Sequence, residues 1–137
     1  MSYKTYIPKT QNENEPLNEG NVSSQIAATL EALAKTIEAR RSAGEESYTY
    51  RLLESDLQLV LDKITEEALE VVEAAHEADA DHLRYEIADL VYHLLVVLGR
   101  FDISLDELSA ELNMRMTDEE RPLGGICLHE QYVKRGK

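Results

Sequence analysis

Two long segments of helical period, one from Leu57 to about Ala78 and one from about Asp81 to Arg100, are joined by only the short Asp79-Ala80-Asp81 connection. Such a pair has to fold as neighbouring antiparallel helices. At about 100° per residue the apolar stripe of the first comprises Leu57, Val60, Leu61, Ile64, Ala68, Val71, Val72 and Ala75. The second is expected to centre on Leu83, Ile87, Leu90, Val91, Leu94 and Leu98. Each helix also carries acids at i, i+3: Glu67 and Glu70 on the first, Glu86 and Asp89 on the second. Glu67 and Glu70 lie roughly 80° and 140° from their stripe centre, Glu86 and Asp89 roughly 100° and 160° from theirs, with the same sign. A two-fold axis relates antiparallel neighbours, so flanks of equal sign fall on one side of the pair. Measured from Ala80 the two sets mismatch by about one helical turn, close enough to converge.

Acids at such spacing are common on solvated helices, and this chain has 27 acidic residues against 14 basic ones, a formal charge of −13. Two details favour a shared ligand. Glu67 stands where the 3-4 spacing of Leu57, Val60, Ile64 and Val71 calls for an apolar residue. Glu66, Glu67, Glu70 and Glu73 have only Lys63 as a nearby cation, and like charges at helical spacing repel. A hard divalent cation relieves that repulsion, and Mg²⁺, held by a few oxygen ligands and completed by water and phosphate, fits best, with Mn²⁺ as a substitute.

The rest of the chain frames this pair. A helix over about Ser23–Ala43 carries Ile26, Leu30, Leu33 and Ile37 on one face and stops at Arg40-Arg41 and Gly44. A link through Ser47-Tyr48-Thr49 leads to a helical turn at Leu52-Leu53. Ser55-Asp-Leu-Gln58 and Ser104-Leu-Asp-Glu107 read as capping boxes, the second opening a helix to about Met116. No strand pattern emerges. The expected fold is all-α, a bundle of about four helices with an antiparallel central pair, completed by oligomerisation. Residues 1–21 are expected as a flexible N-terminal tail, 22–117 as the helical domain and 118–137 as a C-terminal tail.

Composition narrows the partners. The net charge and the lack of a basic stripe exclude nucleic acid as an expected partner. The longest apolar run, Leu94–Leu98, is too short for a bilayer, so no membrane is expected either. A single Cys127 and a polar stretch over 1–20 without a signal-peptide core point to a cytoplasmic protein. The arc Leu90, Val91, Leu94, Leu95, Val97 and Leu98 is wider than one helix covers, so a homodimer or higher homo-oligomer is expected.

The blocks Ser47-Tyr48-Thr49, Lys63-x-x-Glu66-Glu67-Ala-x-Glu70, Glu86-x-Ala-Asp89-Leu-x-Tyr92-His93-Leu-Leu-Val and Glu111-Leu-x-x-x-Arg115 carry a resemblance. Over roughly Leu30–Arg115 the chain resembles the phosphoribosyl-ATP pyrophosphohydrolases, a family of MazG-like, all-α nucleoside triphosphate pyrophosphohydrolases. Asp56 and Thr65 stand where that family leads one to expect glycine. The resemblance implies Mg²⁺-dependent cleavage between the α- and β-phosphates of phosphoribosyl-ATP, giving phosphoribosyl-AMP and pyrophosphate in histidine biosynthesis. It implies a phosphorylated nucleotide as partner and Glu67, Glu70, Glu86 and Asp89 as metal ligands.

Glu66 and Lys63 are the catalytic candidates, Glu66 to position water or a second metal and Lys63 to contact a phosphate. A solvated Glu66 and a plain Lys63 ion pair are the competing readings. Substrate-binding candidates are Ser47, Tyr48, Thr49, Arg51, His93 and Arg115. Tyr48 suits an adenine or ribose, His93 a carboxylate or the substrate, and the arginines phosphates. Against these stand packing for Tyr48, a satisfied buried histidine for His93 and surface ion pairs for the arginines. His76, His82 and His129 show no ligand spacing. The alternatives are a house-cleaning (d)NTP pyrophosphohydrolase with the same chemistry, and a non-catalytic helical interaction module that gains no stability from Mg²⁺.

Overall fold

Local capping decides where each helix starts. In a computed structural model, which describes residues 24–127, α1 spans Ile26–Ala39 and tightens into a 3-10 turn over Arg40–Ser42. Gly44, at φ 83°, reverses the chain. The Ser47 hydroxyl accepts from Tyr50 N (3.3 Å) and opens α2, Tyr48–Glu54. α3 spans Leu57–Glu77, α4 Ala80–Arg100 and α5 Leu105–Asn113. Among the described residues every regular element is helical, as the periodicity requires.

Two capping expectations had different outcomes. Ser104 and Glu107 form both halves of the capping box, with Glu107 N donating to Ser104 Oγ (3.1 Å) and Ser104 N to Glu107 Oε2 (2.7 Å). Ser55 does not cap α3. Asp56 does so, accepting from Gln58 N at 2.9 Å, because the chain is still extended at Ser55 and turns only one residue later. The aspartate at the first expected glycine is therefore a helix cap. Thr65, at the second, is exposed and turns its hydroxyl back to Leu61 O (3.4 Å).

The core joins Ile37 of α1, Leu52 and Leu53 of α2, Val60 of α3 and Leu95 and Val96 of α4. Two arginines tie α2 into it. Arg100 donates to Leu52 O (2.8 Å) and Ser55 O (2.6 Å), satisfying carbonyls around the end of α2. Arg41 pairs with Glu38 (2.9 Å) and Glu54 (3.2 Å) and donates to Gly99 O. Residues 118–127, expected to be tail-like, fold back on α5: Arg121 donates to Asn113 O (2.8 Å) and Asn113 to Ile126 O (2.7 Å). The 1–21 segment and residues 128–137 lie outside the described residues.

α3 and α4 form the dominant hairpin. Its faces are not the expected ones. On α3 the buried residues are Val60, Glu67 and Ala74, so the inner face is turned toward the acids and Leu61 and Val72 are left 39% and 51% exposed. On α4 the buried residues are Glu86, His93, Leu95 and Val96, whereas Ile87 and Leu94, at the centre of the expected inner stripe, are 44% and 43% exposed. Helical phase puts those exposed stripes on the same side of the hairpin, Leu61 level with Leu94 and Val72 with Ile87. Leu95 belongs to the core of the single chain, not to the surplus apolar arc.

Candidate metal centre

The hairpin brings the four acids together. Glu67, Glu70, Glu86 and Asp89 each offer a carboxylate oxygen, all within 4.8 Å of one another. Register explains why. With α3 ending at Glu77 and α4 starting at Ala80, the bend lies between Ala78 and Asp79, earlier than Ala80. Glu70 is then eight residues before Ala78 and Glu86 seven after Asp79; Glu67 and Asp89 are eleven and ten. The mismatch of a turn disappears, and Glu70 faces Glu86 as Glu67 faces Asp89. Ala78 holds the tight bend at φ 55°, and Asp79 caps α4 by accepting from Asp81 N (3.0 Å) and His82 N (3.2 Å).

Burial distinguishes this cluster from a solvated acidic face. Glu67 is 3% exposed and Glu86 is fully buried, and neither Glu67 Oε2 nor Glu86 Oε2 has a hydrogen-bond partner. A buried carboxylate oxygen without a donor is costly. Several converging oxygens of this kind suit a hard divalent cation of the Mg²⁺ type, which the residues present fit.

The electrostatics reflect the crowding. The Glu86 carboxylate beside it pushes Glu70 up to about 7, and burial adds to it. Burial and the neighbouring Glu67 also raise Asp89. Burial opposes ionisation of Glu67, but the Lys63 ammonium and the Asp89 carboxyl beside it outweigh that and hold Glu67 below the usual carboxylate range. Lys63 reaches Glu67 Oε1 at 3.0 Å and Glu66 Oε2 at 3.3 Å. Desolvation disfavours its charge, yet those acceptors raise its pKa.

A pH dependence follows. Glu70 titrates near 4.5 when unperturbed and at about 7 in the metal-free fold, so between these values the folded chain holds the extra proton. Its stabilising contribution is complete below about 4.5 and is lost as pH rises through about 7. Melting temperatures in chelator are expected to fall across that window. A metal-free protein whose melting temperature climbs there would contradict the assignment.

The other expected residues divide. His93 is 2% exposed and its Nδ1 donates to Asp89 O (2.7 Å), leaving Nε2 to accept from the Tyr48 hydroxyl at 2.8 Å. Tyr48, raised in pKa by burial, is still 41% exposed, and the Arg51 guanidinium lies 5.9 Å from its ring centre. His93 lies close to Glu67 and Asp89 as well, but with Nδ1 donating and Nε2 accepting it has no nitrogen lone pair left for a metal. The Thr49 hydroxyl bonds that of Tyr92, and Ser47 is occupied as the α2 cap. Glu66 has a side chain 56% exposed and turns to Lys63. Arg115 lies just beyond α5, donating to Glu111 O (2.9 Å), and the acid cluster does not include it.

His82 had no ligand spacing, yet it lies beside the cluster. Its Nδ1 is 2.8 Å from Glu77 Oε2 and its Nε2 3.0 Å from Glu86 Oε1. The signal was its i, i+4 relation to Glu86, which reads as an ordinary surface pair until Glu86 is seen to be buried. A cleft of about 580 Å³ between α1, the end of α4 and α5 shares no residue with the acids.

With this geometry, the relatives fall into place. The family profile described as phosphoribosyl-ATP pyrophosphohydrolase matches residues 30–116. A phosphoribosyl-ATP pyrophosphatase of Nitrosomonas eutropha is 45% identical over 87 residues, 63% of this chain and 74% of the relative. Phosphoribosyl-ATP pyrophosphatase 1 of Bradyrhizobium diazoefficiens is 48% identical over 88 residues, 64% and 83% of the two chains. The histidine biosynthesis bifunctional protein HisIE of Halalkalibacterium halodurans is 45% identical over 95 residues, 69% of this chain but only 44% of that longer protein. This chain thus spans less than half of the bifunctional relative and about three quarters or more of these single-function ones. The chain belongs to the phosphoribosyl-ATP pyrophosphohydrolase family.

Proposed function

We infer that this protein hydrolyses phosphoribosyl-ATP to phosphoribosyl-AMP and pyrophosphate, the pyrophosphohydrolase step of histidine biosynthesis, with Mg²⁺ held by Glu67, Glu70, Glu86 and Asp89. The observation that carries the reading is the four-carboxylate cluster with two buried, donorless oxygens, set within a chain of this family. Water adds to phosphorus, the α–β anhydride bond breaks and pyrophosphate leaves. Bound Mg²⁺ would neutralise phosphate charge and lower the pKa of a bound water. It would also explain how a chain of charge −13 accepts a polyanion. Mn²⁺, with the same preference for oxygen, would substitute.

The protein's own groups supply binding and orientation. Lys63, kept charged between Glu66 and Glu67, is the proposed phosphate contact. Arg51 and the exposed edge of Tyr48 would meet the nucleotide, with His93 holding the phenol in place. Tyr48→Ala is expected to raise KM for phosphoribosyl-ATP about 5- to 150-fold, the equivalent of one lost contact of 1–3 kcal/mol, and to change metal affinity far less. A larger effect on Mg²⁺ binding than on KM would place the phenol with the metal ligands instead.

The reading extends to assembly and location. Leu61, Val72, Ile87 and Leu94 lie exposed on one side of the α3–α4 hairpin, and a second copy of this chain would cover them as a homodimer or higher homo-oligomer. Among the described residues no helix is long and apolar enough to cross a membrane. A single cysteine suits a reducing, cytoplasmic setting.

The deciding experiment is pyrophosphate release from phosphoribosyl-ATP against a panel of nucleoside triphosphates, with Mg²⁺ and with chelator. Preference for phosphoribosyl-ATP that vanishes in chelator is expected. Faster turnover of ordinary dNTPs would overturn the substrate, and undiminished turnover in chelator would overturn the metal.

A further inference from the structure

Glu86 has no exposed surface, and its two oxygens have unlike surroundings. Oε1 accepts from His82 Nε2 at 3.0 Å, while Oε2 has no donor. His82 is in turn held across the bend, its Nδ1 2.8 Å from Oε2 of Glu77, the last residue of α3. The backbone of His82 is fixed as well, its N–H donating to the Asp79 cap at 3.2 Å. A glutamate has three rotatable side-chain bonds, so a carboxylate that must present one chosen oxygen gains from an anchor on the other.

We propose that His82 is a positioning residue of the metal centre: with Glu77 behind it, it holds Oε1 of Glu86 and so fixes the orientation of a carboxylate that belongs to the four-carboxylate cluster. The chain Glu77–His82–Glu86 also joins the end of α3 to the first turn of α4. The same bonds therefore hold the bend in the register that pairs Glu70 with Glu86. This inference rests on the metal-binding reading above.

The sign of the effect separates positioning from charge. His82 donating to two carboxylates contributes positive charge next to Glu86, and removing a cation beside a Mg²⁺ ligand tightens Mg²⁺ binding on Coulombic grounds. Loss of an anchor weakens it, typically by about 10- to 100-fold for a group one shell out from a metal.

The test is Mg²⁺ titration calorimetry on the full chain and on His82→Ala, His82→Gln and Glu77→Ala, with metal-free melting curves alongside. His82→Ala is expected to weaken Mg²⁺ binding about 10-fold or more. His82→Gln, whose amide can still donate to Glu86 at i, i+4, is expected to recover most of it. Glu77→Ala should fall between. Wild-type or tighter affinity in His82→Ala overturns the proposal, as does equal loss in His82→Ala and His82→Gln. If His82→Ala does not fold, the Gln and Glu77→Ala variants decide it: wild-type affinity in Glu77→Ala then overturns the relay. A wild-type chain that binds no Mg²⁺ removes the metal centre and this inference together, whereas wild-type binding unchanged by His82→Ala removes the inference alone.

Discussion

Glu86→Gln is expected to reduce Mg²⁺-dependent pyrophosphate release by about 100-fold or more, beyond the 10- to 100-fold typical of a group one shell removed from a metal. The substitution keeps the volume of a side chain with no exposed surface, so helical content should be unchanged. What it changes is the chemistry of one atom. Whichever way the amide settles, the site loses a full negative charge, and an NH₂ directed at the cluster repels a cation. Glu67→Gln should behave alike, with one difference: Lys63, now 3.0 Å from Glu67, loses its nearest anionic acceptor. Glu66→Gln is the informative contrast, since its side chain is 56% exposed and outside the cluster. Near-normal turnover in Glu86→Gln would remove the four-acid site. A Glu66→Gln loss as large as that of Glu86→Gln would bring Glu66 into the reaction itself.

How much of this was legible beforehand depends on which physical signal each feature leaves. Period and capping residues are local, so four helices, the hairpin and the Ser104–Glu107 box could all be read, whereas the short α2 showed only as a helical turn at Leu52-Leu53. The convergence of Glu67, Glu70, Glu86 and Asp89 was legible too, because spacing plus a short connection determines which flanks meet. Burial was not. Periodicity ranks Ile87 and Leu94 as inner residues on hydrophobicity alone, but the structure buries Glu86 and His93 and leaves both aliphatic residues about half exposed. An apolar stripe states that a face avoids water; it does not state whether the cover comes from the same chain. His82 escaped for a related reason. Its value comes from Glu86 having no solvent and from Glu77 lying across the bend, both of them tertiary facts.

That same displaced face yields the second large effect. Leu94→Glu and Ile87→Glu are expected to convert an oligomer to monomers that remain folded, while Leu95→Glu unfolds the chain. Leu95 is 6% exposed and packs in the core with Ile37, Leu52, Leu53, Val60 and Val96, so a glutamate there is a buried charge without a partner. Leu94 is 43% and Ile87 44% exposed, and within one chain a glutamate at either site is solvated at little cost. Their importance arises only when a second copy covers them together with Leu61 and Val72, since each charge would then be desolvated in an apolar contact. Adjacent residues on one helix, Leu94 and Leu95, thus separate assembly from folding. Light scattering and far-ultraviolet circular dichroism read the two outcomes independently. A wild-type monomer at micromolar concentration would refute the interface. An oligomer that survives both Leu94→Glu and Ile87→Glu would show that copies meet through another surface.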